Sequence, residues 1–266
     1  MKMKVVLRFD KTVQENAATY FEKAKKAKKK LEGLKTAMNK MDERIKSARA
    51  EENTPKTKTI EKKKEKKWFE KFRWFYSSDN ILVLAGRDAK SNEQLLKKHF
   101  EKGDVFFHAE IAGSAHVIVK TGGEKIPAQT AREAAQFAAV MCKAWQEKVA
   151  SADVYSAEHE QVTKQAPSGE SIGTGAFMVY GKREWFRKTP LEFAVGMDEG
   201  AGIISGPPSA VKKASKNYFL VHPGGERKTD AAKKMKKFFE KNGGKVSLDE
   251  LIQAFPPGEV NVELAK

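Results

Sequence analysis

Residues 68–95 read WFEKFRWFYSSDNILVLAGRDAKSNEQL, and this stretch decides the fold class. Two short runs rich in aromatic and branched side chains, 72–76 and 81–85, flank the turn formers SSDN, which predicts a β-hairpin. A helix is predicted over 89–100, stopped by Gly103. The same alternation continues toward the carboxyl end. Strands are predicted at 105–108 and 116–120 around the small-residue turn IAGSA, then at 154–155, 176–180 and 191–195. Between them Pro127 opens a longer helix, at its first position, with Ala131, Ala134, Ala135, Ala138, Met141, Cys142 and Trp145 on the inner face. Short strands joined by hairpins, with few helices, predict an α+β fold built on a mainly antiparallel sheet with packed helices.

Upstream, Val13, Ala17, Tyr20, Ala24, Ala27, Leu31, Leu34, Met38, Met41, Ile45 and Ala48 recur at alternating spacings of four and three. That is the seam of a coiled coil, and an alanine-rich seam needs a partner helix in water. Its flanks are basic, with eleven Lys and Arg against four Asp and Glu over 22–50. Asn53, Thr54 and Pro55 are expected to stop this helix. The run KTKTIEKKKEKKWFEKFR at 56–73 mixes charge with apolar rings, which suits a segment that docks by its rings and shows its lysines outward. Downstream, a strand is predicted at 217–222 and a basic helix at 229–242. Ser247 and Glu250 have capping-box spacing ahead of a last helix ending at Pro256 and Pro257. The predicted organisation is a coiled-coil helix and basic linker at 1–67, an α+β domain at 68–206 and a basic carboxyl-terminal extension at 207–266.

Composition narrows the function. Lys and Arg number 51 against 35 Asp and Glu, a formal charge of +16, and so large an imbalance points to polyanionic partners. The one cysteine, Cys142, excludes an internal disulfide and a cysteine-built zinc site, and its Ala, Phe and Trp neighbours predict a buried, inert thiol. No apolar run approaches the length of a membrane span and no secretory signal opens the chain, so a soluble, cytoplasmic protein is expected. GxGxxG and GxxxxGK[ST] are absent and no GxSxG context surrounds Ser168, so neither catalysis nor a cofactor is expected. His108, Glu110 and His116 match no metal-binding spacing, and hydrogen-bonding histidines are expected there rather than metal ligands.

What remains is basic, small-residue loops. GRDAKSNE at 86–93 places Arg87, Lys90 and Asn92 at a strand-to-helix turn, where backbone N–H groups favour phosphate. QVTKQAPSGE at 161–170 offers Lys164 and Ser168. GKREWFRK at 181–188 offers Lys182, Arg183, Arg187 and Lys188 around Trp185 and Phe186. With His108 and His116, Arg87, Lys90, Asn92, Lys164, Ser168, Lys182, Arg183 and Arg187 form the candidate RNA-binding set.

Three strings, the one quoted first together with GDVFFHAEIAGSAHVIVK and QVTKQAPSGESIGTGAFMVYGKREW, resemble the RNA-binding domain of the NFACT family, which includes the RqcH and NEMF proteins of ribosome-associated quality control. FDKTVQENAATYFEKAKKAKKKLEG is similar to the opening helix of that family's middle coiled coil, and GPPSAVKKASKNYFLVHPG and VSLDELIQAFPPGEV to the carboxyl end of archaeal members. The resemblance implies binding to large-subunit rRNA and tRNA in complexes carrying stalled peptidyl-tRNA, with marking or extension of the nascent chain. The chain begins at the coiled coil, without the family's amino-terminal domain, so tailing by this chain alone is not implied. The expectation is the carboxyl half of a split protein, joined through 13–48 to a separate NFACT amino-terminal half or to a second copy. Within the domain, Ala112 stands where the family usually has a histidine, and Ser156, Ala157 and Glu158 where aromatics are common. The alternative is a stand-alone nucleic-acid-binding adaptor that acts off the ribosome.

Overall fold

A computed structural model describes residues 6–52, 67–165, 172–198 and 202–265, with the side chains of 40 and 44–52 left out. The elements in chain order are α1 (Val13–Glu52), β1 (Arg73–Tyr76), β2 (Leu82–Ala85), α2 (Ala89–His99), β3 (Val105–Ala109), β4 (Val117–Val119), α3 (Ala128–Val140), β5 (Ser151–Glu158), β6 (Val162–Thr163) and β7 (Met178–Val179). They continue with β8 (Glu184–Pro190), β9 (Phe193–Asp198), β10 (Gly202–Gly206), α4 (Pro208–Ala214), β11 (Tyr218–Glu226), α5 (Lys228–Lys241), α6 (Leu248–Ala254) and β12 (Val260–Leu264). The chain divides into two compact units, Met1–Lys64 and Glu65–Lys266.

In the first unit, Thr12 and Glu15 close a capping box, the Thr12 N–H donating to Glu15 Oε2 at 2.8 Å and the Glu15 N–H to Thr12 Oγ1 at 3.3 Å. The residues ahead of α1 fold back along it. The Tyr20 hydroxyl donates to the Val6 carbonyl at 2.7 Å, and Asn16 Oδ1 accepts from the Arg8 N–H at 2.9 Å. The seam positions from Val13 to Met41 lie on α1, where Leu31, Leu34, Met38 and Met41 are all more than half exposed in this chain. The predicted stop at Asn53–Pro55 lies outside the described residues.

The second unit is α+β, as expected. A six-stranded sheet runs β1-β2-β4-β3-β5-β8 and a four-stranded sheet β10-β9-β11-β12, with antiparallel neighbours throughout, beside the ribbon β6-β7. The β1–β2 hairpin forms as predicted; Asn80 closes its turn at φ 59°, a conformation asparagine tolerates better than most residues. Period-two alternation assigns the faces. Phe75, Val83, Ala85, Phe107, Ala109, Val117 and Val119 point to one side, and Trp74, Leu84, Phe106, Ile118 and Tyr155 to the other.

On the first side lies α3, apolar nearly all round because it is enclosed, and rich in alanine, which permits close approach on every flank. Pro127 caps α3 rather than opening its first turn. Glu133 is 1% exposed within this core and is fully engaged. It accepts from the Ser78 N–H at 2.8 Å, from the Ser78 hydroxyl, from Ser209 Oγ at 2.7 Å and from Gln129 Nε2 at 3.0 Å, which ties the hairpin turn to α3 and α4. Cys142 is buried, its thiol pushed up by burial, and Sγ donates to the Ala139 carbonyl.

Two expectations are corrected. Residues 207–266 are not a separate extension: Phe219, Val221, Met235, Phe239, Leu251, Phe255 and Val260 complete the same core as α3, and Trp145 Nε1 donates to the Glu259 carbonyl at 3.0 Å. The segment 181–188, read as a loop, is largely β8, the edge strand of the large sheet. The capping box at Ser247 and Glu250 forms as predicted.

Candidate nucleic-acid interface

The second side of the six-stranded sheet is half covered. The 3-10 turn Trp68–Lys71 and α2 pack over β1, β2 and β4 through Phe69, Phe72, Leu95 and Leu96. Over β3, β5 and β8 the sheet instead presents a row of rings. His108 lies opposite Tyr155, and Tyr155 opposite Trp185, in the strand registers. Ring centroids are 5.8 Å apart for the first pair and 5.4 Å for the second, and His116 extends the row 5.3 Å beyond His108. Phe177, from the segment before β7, closes that end 5.5 Å from His116.

Cations lie across these rings. The Arg183 guanidinium sits 4.5 Å from the Tyr155 centroid, Arg187 3.7 Å from Trp185, and Lys164 Nζ 5.4 Å from Phe177. Arg183, Trp185 and Arg187 reach the same face because they alternate along β8. Asp153 steadies the edge, accepting from Arg187 Nη1 and from the Lys188 N–H, each at 2.7 Å. Lys182 is exposed at the start of this edge and Lys90 on the first turn of α2.

The residues of the 86–93 loop serve the fold. Asn92 is buried, with Oδ1 accepting from the His116 N–H at 3.1 Å and Nδ2 donating to the Ser114 carbonyl at 3.4 Å. Arg87 Nε and Nη2 donate to the carbonyls of Lys71 and Phe72, each at 3.1 Å, and clamp the 3-10 turn. The N-terminus of α2 is not open to phosphate as expected, because Asp88 accepts from the Ser91 N–H and Ser91 Oγ accepts from the N–H groups of Arg87 and Asp88. Lys164 is shared with a carboxylate: Glu93 Oε1 lies 2.6 Å from both Lys164 and Lys97. Lys164 first, then Lys97 and the Gly175 N–H, hold Glu93 down at about 2. Ser168 lies outside the described residues.

Gly86 has no room for a side chain. A Cβ there would stand 1.9 Å from Asn92 Oδ1 and 2.8 Å from the Asn92 backbone nitrogen. Gly86→Ala is expected to lose about 3 kcal/mol of stability in urea unfolding, from overpacking and the broken Asn92 bonds. A loss under about 0.5 kcal/mol would mean that Asn92 leaves its pocket freely.

Burial sets the charge of the row. Desolvation lowers His108 to about 4 and His116 to about 3, with Arg183 and His108 respectively adding to it, so both imidazoles are neutral at physiological pH. His116 Nδ1 is buried without a hydrogen-bond partner among the described residues. Among the described residues no group of three or more His, Cys, Asp and Glu is placed to hold a metal ion. Tyr155 and Trp185 were absent from the sequence-derived set. The signal for them is the alternation R-x-W-x-R at 183–187, which reads as a strand once the charges are set aside.

Rings at strand spacing with cations over them, on one face of an antiparallel sheet, make an α+β domain whose edge has the side-chain chemistry to meet nucleic acid. Residues 71–181 match the family model described as the NFACT protein RNA binding domain. An archaeal Rqc2 homologue, aRqcH, from Methanocaldococcus jannaschii is 36% identical over 199 residues, which are 74% of this chain and 29% of that protein. Ribosome quality control complex subunit NEMF of Homo sapiens is 35% identical over 64% of this chain and 16% of its own length, and the Drosophila melanogaster NEMF homologue 37% over 68% and 18%. Residues 71–181 thus form an NFACT RNA-binding domain, and the chain spans less than a third of each of these relatives. Among solved structures, the C-terminal part of a fibronectin/fibrinogen-binding protein from Streptococcus suis aligns over 68% of this chain and 77% of its own at 21% identity, with a TM-score of 0.39.

Proposed function

We propose that the chain is an RNA-binding factor of ribosome-associated quality control. It works in the cytoplasm by binding the large ribosomal subunit and the tRNA held there, and it catalyses no reaction itself. The observation that carries this reading is half-buried Trp185, backed by the buried Tyr155 and flanked by Arg183 and Arg187 on the edge strand, where a ring can stack an unpaired base while the cations hold phosphate. Its relatives, ribosome quality control subunits and an archaeal Rqc2 homologue, supply the setting. The exposed seam of α1 takes a second helix, from another polypeptide or from a second copy of this chain.

Purified from its own cells, the chain is expected to sediment with large ribosomal subunits and a second polypeptide, or as a dimer. Arg183→Glu is expected to release it. Should generic duplex displace it as readily as free subunits do, the protein is a nucleic-acid adaptor that acts off the ribosome. A subunit-bound Arg183→Glu variant at moderate salt would remove the ring face from the assignment.

A further inference from the structure

On the covered half of the six-stranded sheet one large ring stays open. Trp68, in the 3-10 turn that packs over β1, β2 and β4, is 47% exposed. The turn is held without its indole. Phe69 and Phe72 are buried, Phe69 against Trp74 and Tyr76 with ring centroids 5.0 and 6.2 Å apart, and Arg87 clamps the carbonyls of Lys71 and Phe72. The indole instead lies flat on His99, the last residue of α2, with centroids 4.3 Å apart and planes 19° from parallel.

His99 is itself fixed. Phe72 meets its ring edge-on at 5.5 Å, and its carbonyl accepts from Lys120 Nζ at 2.9 Å. Burial, then the charges of Lys71, Lys120 and Lys98, keep this imidazole below its ordinary value and so neutral at physiological pH. Its Nε2 is buried without a partner among the described residues, so the ring serves as backing for the indole. A cleft of about 340 Å³ opens beside the pair, lined among the described residues by Trp68, His99, Glu101 and Lys120. Lys120 is neutralised there by Glu101 and Asp104, at 2.7 and 2.5 Å. Two other cations stand on the turn itself. Lys67 Nζ is 5.8 Å from the Phe69 centroid and Lys71 Nζ 5.0 Å from that of Phe72. Among the described residues neither has a carboxylate within ion-pair distance.

A fixed indole with open surface beside unpaired ammonium groups has the chemistry of a single-strand contact: the ring takes a base by its π-face and the cations take flanking phosphates. We propose that Trp68 is a second stacking point for an unpaired base of the RNA, a reading that rests on the RNA-binding function above. It is separate from the ring row, because α2 spans the gap. Asn92 bonds the His116 N–H at the row, and His99 backs the indole seven residues further on, roughly 10 Å along the helix.

The test uses the full chain, labelled with 5-fluorotryptophan so that its four indoles give four fluorine signals. Trp68→Phe and Trp185→Phe assign two of them. Titration with an unpaired oligoadenylate of about ten nucleotides is expected to shift both assigned signals saturably. In Trp185→Ala the Trp68 signal should still move. Trp68→Leu keeps an apolar side chain on the turn but no π-face, and should bind about tenfold more weakly, with the slope of log affinity against log salt unchanged. Trp68→Phe should recover most of that loss. A Trp68 signal unmoved at saturation while Trp185 shifts overturns this site and leaves the RNA reading in place, as does a Trp68→Leu variant that binds like the parent. Equal losses in Trp68→Leu and Trp68→Phe, with a lowered melting temperature in both, assign the indole to packing and overturn it too. Should neither signal move, and neither oligoadenylate nor tRNA bind the parent, the RNA-binding function falls and the site with it.

Discussion

Trp185→Ala is expected to lower affinity for single-stranded RNA by about ten- to a hundredfold, from 1–3 kcal/mol per stacked base. Trp185 stands at the outer end of the row, half-exposed on β8, with Tyr155 on one side and the Arg187 guanidinium 3.7 Å from its centre. Removing the indole takes away a stacking surface and the support that orients Arg187, while Asp153 still anchors that arginine at 2.7 Å. The charge of the face is unchanged. The salt dependence of binding, which counts phosphates neutralised by cations, should therefore stay as it was. Arg183→Gln makes the opposite signature: a modest loss of affinity, with the slope reduced by about one. Fluorescence anisotropy across a salt series measures both quantities. If Trp185→Ala binds as tightly as the parent, the rings are packing for the sheet edge, and the lysines and arginines alone carry the RNA.

That pair of signatures also separates what the sequence could show from what it could not. The hairpin 73–85 was legible because two aromatic and branched runs flank turn formers, and the capping box at Ser247 because Glu250 lies three residues on. The seam of α1 was legible from its spacing, and its partner was not, because a spacing describes one side of an interface only. Within the interface, side-chain type was a poor guide to role. Arg87 reads as a phosphate contact until the 3-10 turn at 68–71 supplies carbonyls for two of its nitrogens, and those carbonyls exist only in the fold. Asn92 reads as a polar surface residue until β4 brings the His116 N–H to it. Segment 181–188 reads as a basic loop because charge masks its alternation; its strand character comes from pairing with β5, about thirty residues earlier in sequence. The core shared by 128–140 and 207–266 depends on long-range packing that no local pattern encodes.

Acid should unfold this protein early, through the imidazoles of the ring row. In the unfolded chain a histidine protonates near pH 6.5. In the fold His108 resists protonation down to about 4 and His116 to about 3, burial being the main cause for each. Between those values the unfolded state binds more protons than the native state, so stability falls as pH falls, and it is fully restored above the unfolded value. Two such groups give a loss on the order of 2 kcal/mol per pH unit between roughly pH 6 and 4. His116→Phe isolates one of them. It keeps a ring in the row, 5.4 Å from Phe106 and 5.5 Å from Phe177, and removes a buried Nδ1 that has no partner. At pH 7 the variant should be as stable as the parent or more so, because an unsatisfied buried polar atom costs about 1–3 kcal/mol. Below pH 6 its slope should be about half that of the parent. Urea unfolding across this pH range decides the matter. A variant that is less stable at pH 7 and keeps the full slope would show that the His116 nitrogen is satisfied in solution and that acid acts elsewhere. The same neutrality bears on binding. With both imidazoles uncharged, affinity for RNA should be flat from pH 6 to 8, so the positive charge that meets phosphate comes from lysines and arginines such as Arg183, Arg187 and Lys182, not from the histidines.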